Sequence, residues 1–440
     1  MEETAQSSYD SGELSDNKHF RKFVMKEVLD KIGFGFGSQQ FVNVLLFLSG
    51  ASIFLVGIVN GLKSISGILA SIAAQEYNKK KRISKKIIGF SGIFFGFSFL
   101  FMAFGRFIDS PLTFSIALIL GGISAVIYGD FSQNFFLMGR KKEILGKLAK
   151  YGLIITAASL FLSAFIFDKY QDGSFFVLTV LGRAFFIKLP GYLIAFEIAA
   201  LSFIFSGYFL SSAADKGGAG GANQENISFS GFISEAKQKF AGISKNRFLA
   251  ALMIFNVIIG LVQTIGNSYY GIFIYQNFKN NYFGGFLNIA VVFLIGVFSS
   301  LVGYFITKIN VKSYGKMPML AIGGVFLSSM PYAYYMGGNL ALLTAGTILG
   351  VIGASAIGIA INMFVIEFMH EQDRRHYYIF SGLFSVIPYI VLVPVFSYAA
   401  QKYSLNLTFL ILSAALITST IAVLLLHKLL RKEISNFSVL

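Results

Sequence analysis

The chain has 440 residues, of which 55% are hydrophobic and only 13% charged, and its mean hydropathy is +0.70; soluble domains carry about 25% charged residues, so a water-soluble globular protein is excluded. The formal net charge is +15, but the basic residues sit in short connections between apolar runs, which points to orientation in a bilayer rather than to nucleic acid. With no Cys there are no disulfides, thiolate metal sites or cysteine nucleophiles, and with no Trp the interfacial belts fall to 21 Tyr and 50 Phe.

Residues 1–26 form a polar tail, acidic at Glu2, Glu3, Asp10, Glu13 and Asp16, expected to be disordered and without a cleavable leader. Six apolar runs follow: Ile32–Ser49, Ile53–Ala74, Ile87–Gly105, Leu112–Phe136, Tyr151–Phe167 and Tyr192–Leu210. Each is long enough to cross a hydrocarbon core of roughly 30 Å as a helix. Lipid admits only helices or closed barrels, and barrel strands would be shorter and alternate polar with apolar. The run Phe175–Gly182 is apolar but too short to cross, and is expected to stay outside, on the surface.

Next comes a connection at 213–247. Its Lys216–Asn226 stretch (KGGAGGANQEN) is a flexible linker. Phe229, Phe232, Ile233, Ala236, Phe240 and Ile243 then recur at helical spacing among lysines, which predicts a helix lying in the inner interface. Six further spans follow: Phe248–Tyr270, Phe283–Ile306, Met317–Met336, Leu340–Phe368, Tyr377–Tyr398 and Leu405–Leu426. The expected organisation is therefore a bundle over 27–212, the linker, a bundle over 248–428 and a tail from 429 to 440.

Basic residues set the orientation. With the N-terminus cytoplasmic, the 36 Lys and Arg lie on the inner side except Arg106, Lys169, Arg183, Lys188, Lys279 and Lys402 outside and Lys63 within a span. That bias predicts both termini cytoplasmic, in a plasma or inner membrane. The halves also repeat. A shift of 229 residues lays Ile119, Leu120, Gly121, Ile123, Ala125, Gly129 and Phe135 on their identical counterparts from Ile348 to Phe364, and a shift of 224 lays Gln39 and Asn43 on Gln263 and Asn267.

Two six-helix halves, a basic loop after the second span of each and a long cytoplasmic link resemble the major facilitator superfamily over roughly residues 27 to 430. The family's loop signature is degraded: the chain reads SIAAQEYNKKKRISKK from Ser71 and GYFITKINVKSYGK from Gly303, without its aspartate. The intramembrane Arg and G-x-x-x-G-P run of proton-coupled drug exporters are absent from the fourth and fifth spans. QTIGNSYY from Gln263 to Tyr270 is similar to a stretch of sugar porters, with a different glycine-to-asparagine spacing. The resemblance implies an all-α integral membrane fold of twelve transmembrane helices in two pseudo-symmetric six-helix bundles. It further implies a secondary transporter moving a polar small molecule, such as a sugar or other metabolite, by alternating access, working as a monomer in the lipid bilayer. Proton coupling, sodium coupling and uniport all stay open. The rival is a polytopic protein that does not transport, an intramembrane enzyme or a scaffold.

Charges inside spans cost about 2.5–3.5 kcal/mol at a helix centre and need a reason. Lys63, deep in the second span, and Asp130, in the fourth, either face an aqueous cavity, where Lys63 would bind substrate and Asp130 exchange protons, or form a structural ion pair. Glu197 in the sixth span is a lesser proton-coupling candidate, because that helix faces outward in the family. Glu367 reads as a loop-edge charge. Gln39 with Asn43, and Gln263 with Asn267, are spaced i, i+4 on one helix face each. In the family's layout these helices line the cavity, so the amides either converge on a substrate or tie helices together. Asn60, Tyr270 and Asn288 are further polar candidates. Glycines Gly33, Gly35 and Gly37 and Gly346 to Gly358 serve close packing or bending. No phosphate loop, nucleophile motif or metal-ligand spacing is found, so no enzymatic activity, cofactor or metal is expected.

Overall fold

The computed structural model describes residues 21–80, 83–132, 142–170, 174–180, 183–212, 246–369 and 371–430. The expected linker and interfacial helix lie, up to residue 245, outside the described residues. In chain order the elements are α1 (21–36), α2 (Gln39–Leu48), α3 (Ile53–Lys80), α4 (Lys85–Phe107), α5 (Pro111–Ser132), α6 (Lys142–Lys169), β1 (Ser174–Val180), β2 (Arg183–Leu189) and α7 (Gly191–Ser211). The second half holds α8 (Arg247–Phe278), α9 (Gly285–Tyr314), α10 (Lys316–Met336), α11 (Leu340–Phe368), α12 (Glu371–Lys402) and α13 (Leu405–Leu429). With α1 and α2 as one interrupted span, these are the twelve expected crossings of a multi-pass membrane protein. Among the described residues nine of the helices are apolar and long enough to cross a bilayer by composition alone.

Local chemistry sets the helix ends. Asn246, Asn339 and Ser404 each accept from backbone N–H groups in the first turn of α8, α11 and α13, meeting donors that have no helical partner. Gly337 ends α10 at φ +62°, a left-handed cap that favours glycine.

Two expectations change. The first span is not one helix over Ile32–Ser49: it is already helical at residue 21, the first described residue, and breaks at Gly37–Ser38. The inner turns are polar because their charges are matched inside the protein, which hydropathy cannot register. At the break, the Phe36 carbonyl accepts from Ser163 Oγ at 3.3 Å. The second change is at Phe175–Gly182, whose described residues, through Val180, lie in an antiparallel strand pair running from Ser174 with Leu189 to Val180 with Arg183. A two-stranded hairpin has open edges whose backbone groups lipid cannot satisfy. Its base is drawn together where Gly191 N–H donates to the Tyr170 carbonyl at 2.9 Å.

The chain forms two compact units: residues 1–38 with 69–224, and 39–68 with 225–440. The sequence divides instead at the linker, so the difference is the stretch 39–68. In the first unit α4 packs on both α5 and α7, and α6 on α7. Three glycines in and at the end of α1 each meet a different neighbour: a Cβ would lie 2.6 Å from Phe203 at Gly33, 2.4 Å from Ser159 at Gly35 and 2.4 Å from Phe99 at Gly37. In the second unit α10 packs on both α11 and α13. The third crossing thus pairs with the fourth and sixth as the ninth pairs with the tenth and twelfth, the symmetry that the repeat predicts.

Candidate functional site

The stretch 39–68 carries four of the predicted polar residues, Gln39, Asn43, Asn60 and Lys63, into the second unit. Gln39, exposed, donates from Nε2 to Asn60 Oδ1 at 3.2 Å. Asn60 donates to Asn43 Oδ1 and to the Val56 carbonyl, both at 2.9 Å. Asn43 donates to the Asn267 carbonyl at 2.9 Å. Asn43 and Asn60 are 0% and 1% exposed, and their amide groups are spent on one another, on Gln39 and on backbone. Two crossings of the first half are thereby tied to the seventh helix.

Gln40 completes the chain and was not predicted. Its Nε2 donates to Asn267 Oδ1 at 3.4 Å, and its Oε1 accepts the Gly271 N–H at 3.0 Å. The sequence signal was there, in adjacent glutamines, but the i, i+4 spacing with Asn43 directed attention to Gln39. Gln263 and Asn267 are half-buried on α8. Tyr270 sits elsewhere, in an aromatic core with Tyr334 and Phe409 at ring-centroid distances of 4.3 and 5.2 Å.

Along the same stretch α3 packs on α12. Gln401 Oε1 accepts the Phe54 N–H at 3.1 Å. A Cβ on Gly57 would lie 2.0 Å from both the Tyr269 hydroxyl and Ser397 Oγ, and one on Gly61 2.7 Å from Val393; these contacts require glycine. Lower down, Gly382 faces Ile68. The register brings Lys63 level with Tyr389, whose hydroxyl lies 3.0 Å from Thr264 Oγ1. Lys63 is half-buried, about 15 Å along α3 at 1.5 Å per residue. Among the described residues its ammonium has no hydrogen bond or ion pair.

Asp130 and Glu197 lie in the first unit. Asp130, exposed near the end of α5, accepts from Ser71 Oγ at 2.5 Å. Glu197 is exposed on α7. Asn288 is structural: it bonds the Phe278 and Asn281 carbonyls and the Phe283 N–H across the α8–α9 turn. Glu367 pairs with Lys316.

Sequence reasoning missed a second polar centre in the first unit. Lys26 and Asp30, 2% and 5% exposed, are bonded at 2.9 Å, and Lys26 also reaches Glu27 at 2.8 Å and Ser132 at 3.3 Å. Asp30 further accepts from Tyr128 at 2.9 Å and Ser206 at 2.6 Å. The Lys-x-x-x-Asp spacing was the available signal, but it preceded the first apolar run.

No family model matches the chain, and no curated protein does. Solved structures do. A mutant form of the nucleoside transporter NupG is similar at TM-score 0.71 and 13% identity, over 91% of this chain and 98% of its own. A bacterial homologue of the iron transporter ferroportin, in an inward-facing state, gives 0.63 and 13%, over 93% and 98%. The xylose transporter XylE from E. coli, partially occluded and inward open, gives 0.59 and 14%, over 91% and 98%. At such identities the likeness is one of fold.

Proposed function

We propose that this chain, which has the major facilitator fold, is a secondary transporter that moves a polar small molecule by alternating access. The observation that carries this reading is the seam along 39–68: first-half residues held on α8 and α12 by a few amides and by glycine contacts, with polar groups and a bare ammonium at mid-span. Such a seam supports a mechanism in which contacts open and reform. A non-transporting scaffold needs no such mid-span charge.

Gln39, Lys63 and Gln263 are the residues we assign to substrate, with Asn60, Asn43, Gln40 and Asn267 holding them in place. Nucleosides, xylose and iron are named for three neighbours of one fold, so the fold alone does not choose a cargo; the amides favour a hydrogen-bonding one, a sugar included. Asp130, near the end of α5 with Ser71 on its carboxylate, is the leading group for proton coupling, ahead of Glu197. Both termini are assigned to the cytoplasm from the charge bias, and the working unit to a monomer.

The second reading, a scaffold, draws on the internal satisfaction of Asn43 and Asn60. A disulfide between Phe54→Cys and Gln401→Cys separates the two. The native chain has no cysteine, so this pair is the only one present. A compound that stabilises the purified protein in a thermal-shift panel should accumulate in proteoliposomes, stop when the pair is oxidised and resume on reduction. Uptake indifferent to the cross-link, or a bound compound that never crosses, would defeat the transport reading.

A further inference from the structure

Lys63 poses a question of charge balance. Its ammonium lies about 15 Å into α3, where an unpaired charge is expensive, and it has no partner among the described residues. Among the described residues its own unit offers no carboxylate at that depth. Between residues 39 and 68 there is no Asp or Glu, and between 246 and 430 only Glu367, Glu371 and Asp373. Glu367 is paired with Lys316. Glu371 and Asp373 open α12, and Asp373 lies 16 residues before Tyr389, about 24 Å along the helix axis. The groups at the level of Lys63 are neutral: Asn60 one turn before it, Gln39 on Asn60, and the Thr264–Tyr389 hydroxyl pair.

One positive charge among uncharged hydrogen-bonding groups is the complement of a small anion with a polar body. We propose that the transported molecule is anionic, carrying a carboxylate or phosphate that Lys63 neutralises while Gln39 and neighbouring hydroxyls bond its neutral part. This rests on the transporter reading and narrows its substrate class.

The test reads the local field without knowing the cargo. In the cysteine-free chain, Gln39→Cys places a thiol beside Asn60, one helical turn before Lys63. The purified protein, in nanodiscs of phosphatidylcholine alone so that no anionic lipid contributes, is reacted with methanethiosulfonates bearing a sulfonate or a trimethylammonium group. Rates are normalised to a free thiol. At an effective dielectric between those of water and a protein surface, Lys63 should favour the sulfonate by about tenfold. That preference should vanish in Gln39→Cys/Lys63→Gln and persist in Gln39→Cys/Lys63→Arg. A ratio unmoved by Lys63→Gln overturns the anion assignment and leaves transport standing. Failure of both reagents to react overturns water access, and the transport reading with it. A companion panel of matched pairs, glucose with glucuronate, uridine with uridine monophosphate and glycerol with glycerol 3-phosphate, reads the same point in melting temperature. Stabilisation by a charged member that is lost in Lys63→Gln supports the assignment; equal stabilisation of both proteins by a neutral member overturns it.

Discussion

Asp30 lies inside a helix bundle because three donors meet it there, from Lys26, Tyr128 and Ser206. Burying a carboxylate is tolerable only with such company, and removing one partner of a buried pair costs about 3–5 kcal/mol because the other is stranded. Lys26→Met should therefore lower thermal stability strongly, while Lys26→Met/Asp30→Leu, which strands nothing, should recover much of the loss. Equal melting temperatures for both variants would mean that the pair is not what holds α1. This centre was illegible in the sequence, since a lysine and an aspartate just before an apolar run look like a solvated edge. The amides were half legible. Their types and spacing marked the right helices, but only coordinates tell Gln40, with two bonds to α8, from Gln39, which bonds only Asn60. Bonds between membrane helices are worth about 0.6 kcal/mol each. Gln40→Ala should thus destabilise by about 1 kcal/mol in detergent unfolding, and Gln39→Ala by less, with its effect appearing in substrate affinity instead.

Among the elements, the fourth and tenth crossings show what a repeat can and cannot disclose. The 229-residue shift that pairs Gly121 with Gly350 is matched in space: Gly121 lies against Ser98 of α4, and Gly350 against Met330 of α10. The same shift pairs Gly129 with Gly358, and here the sequence suggested packing or bending without deciding between them. A Cβ at either position meets nothing within 4 Å, so packing in this conformation does not require these glycines. Helix-interior glycine costs about 0.5–1 kcal/mol relative to alanine. Gly129→Ala and Gly358→Ala should each raise stability by about that amount. If bending of these helices serves transport, each should also slow it. By contrast Gly353→Ala must collide, because its Cβ would lie 2.4 Å from the Leu327 backbone nitrogen and 2.5 Å from the Gly323 carbonyl, and should lower stability. A destabilised Gly129→Ala would show that the open space is filled in solution.

At the scale of the whole molecule the decisive variable is parity, because each added crossing reverses every loop after it. Hydropathy located the crossings since each is a long apolar run, and it left Phe175–Gly182 ambiguous since a strand and a short apolar helix segment look alike in composition. Pairing of that segment with Arg183–Leu189 makes a hairpin, which adds no crossing and preserves the even count. If the segment crossed instead, Lys308, Lys312, Lys316, Arg374 and Arg375 would all fall outside, against the rule that cytoplasmic loops gather Lys and Arg. Single cysteines in the cysteine-free chain test this directly. An impermeant thiol reagent applied to intact cells should label Thr179→Cys in the hairpin and Asn280→Cys in the turn after α8, and should label Lys86→Cys at the start of α4 only after permeabilisation. Labelling of Asn280→Cys only after permeabilisation would place an even number of crossings before it instead of seven. The two halves would then be inverted with respect to each other, and the parallel repeat that aligns Gly121 with Gly350 could not exist in the membrane.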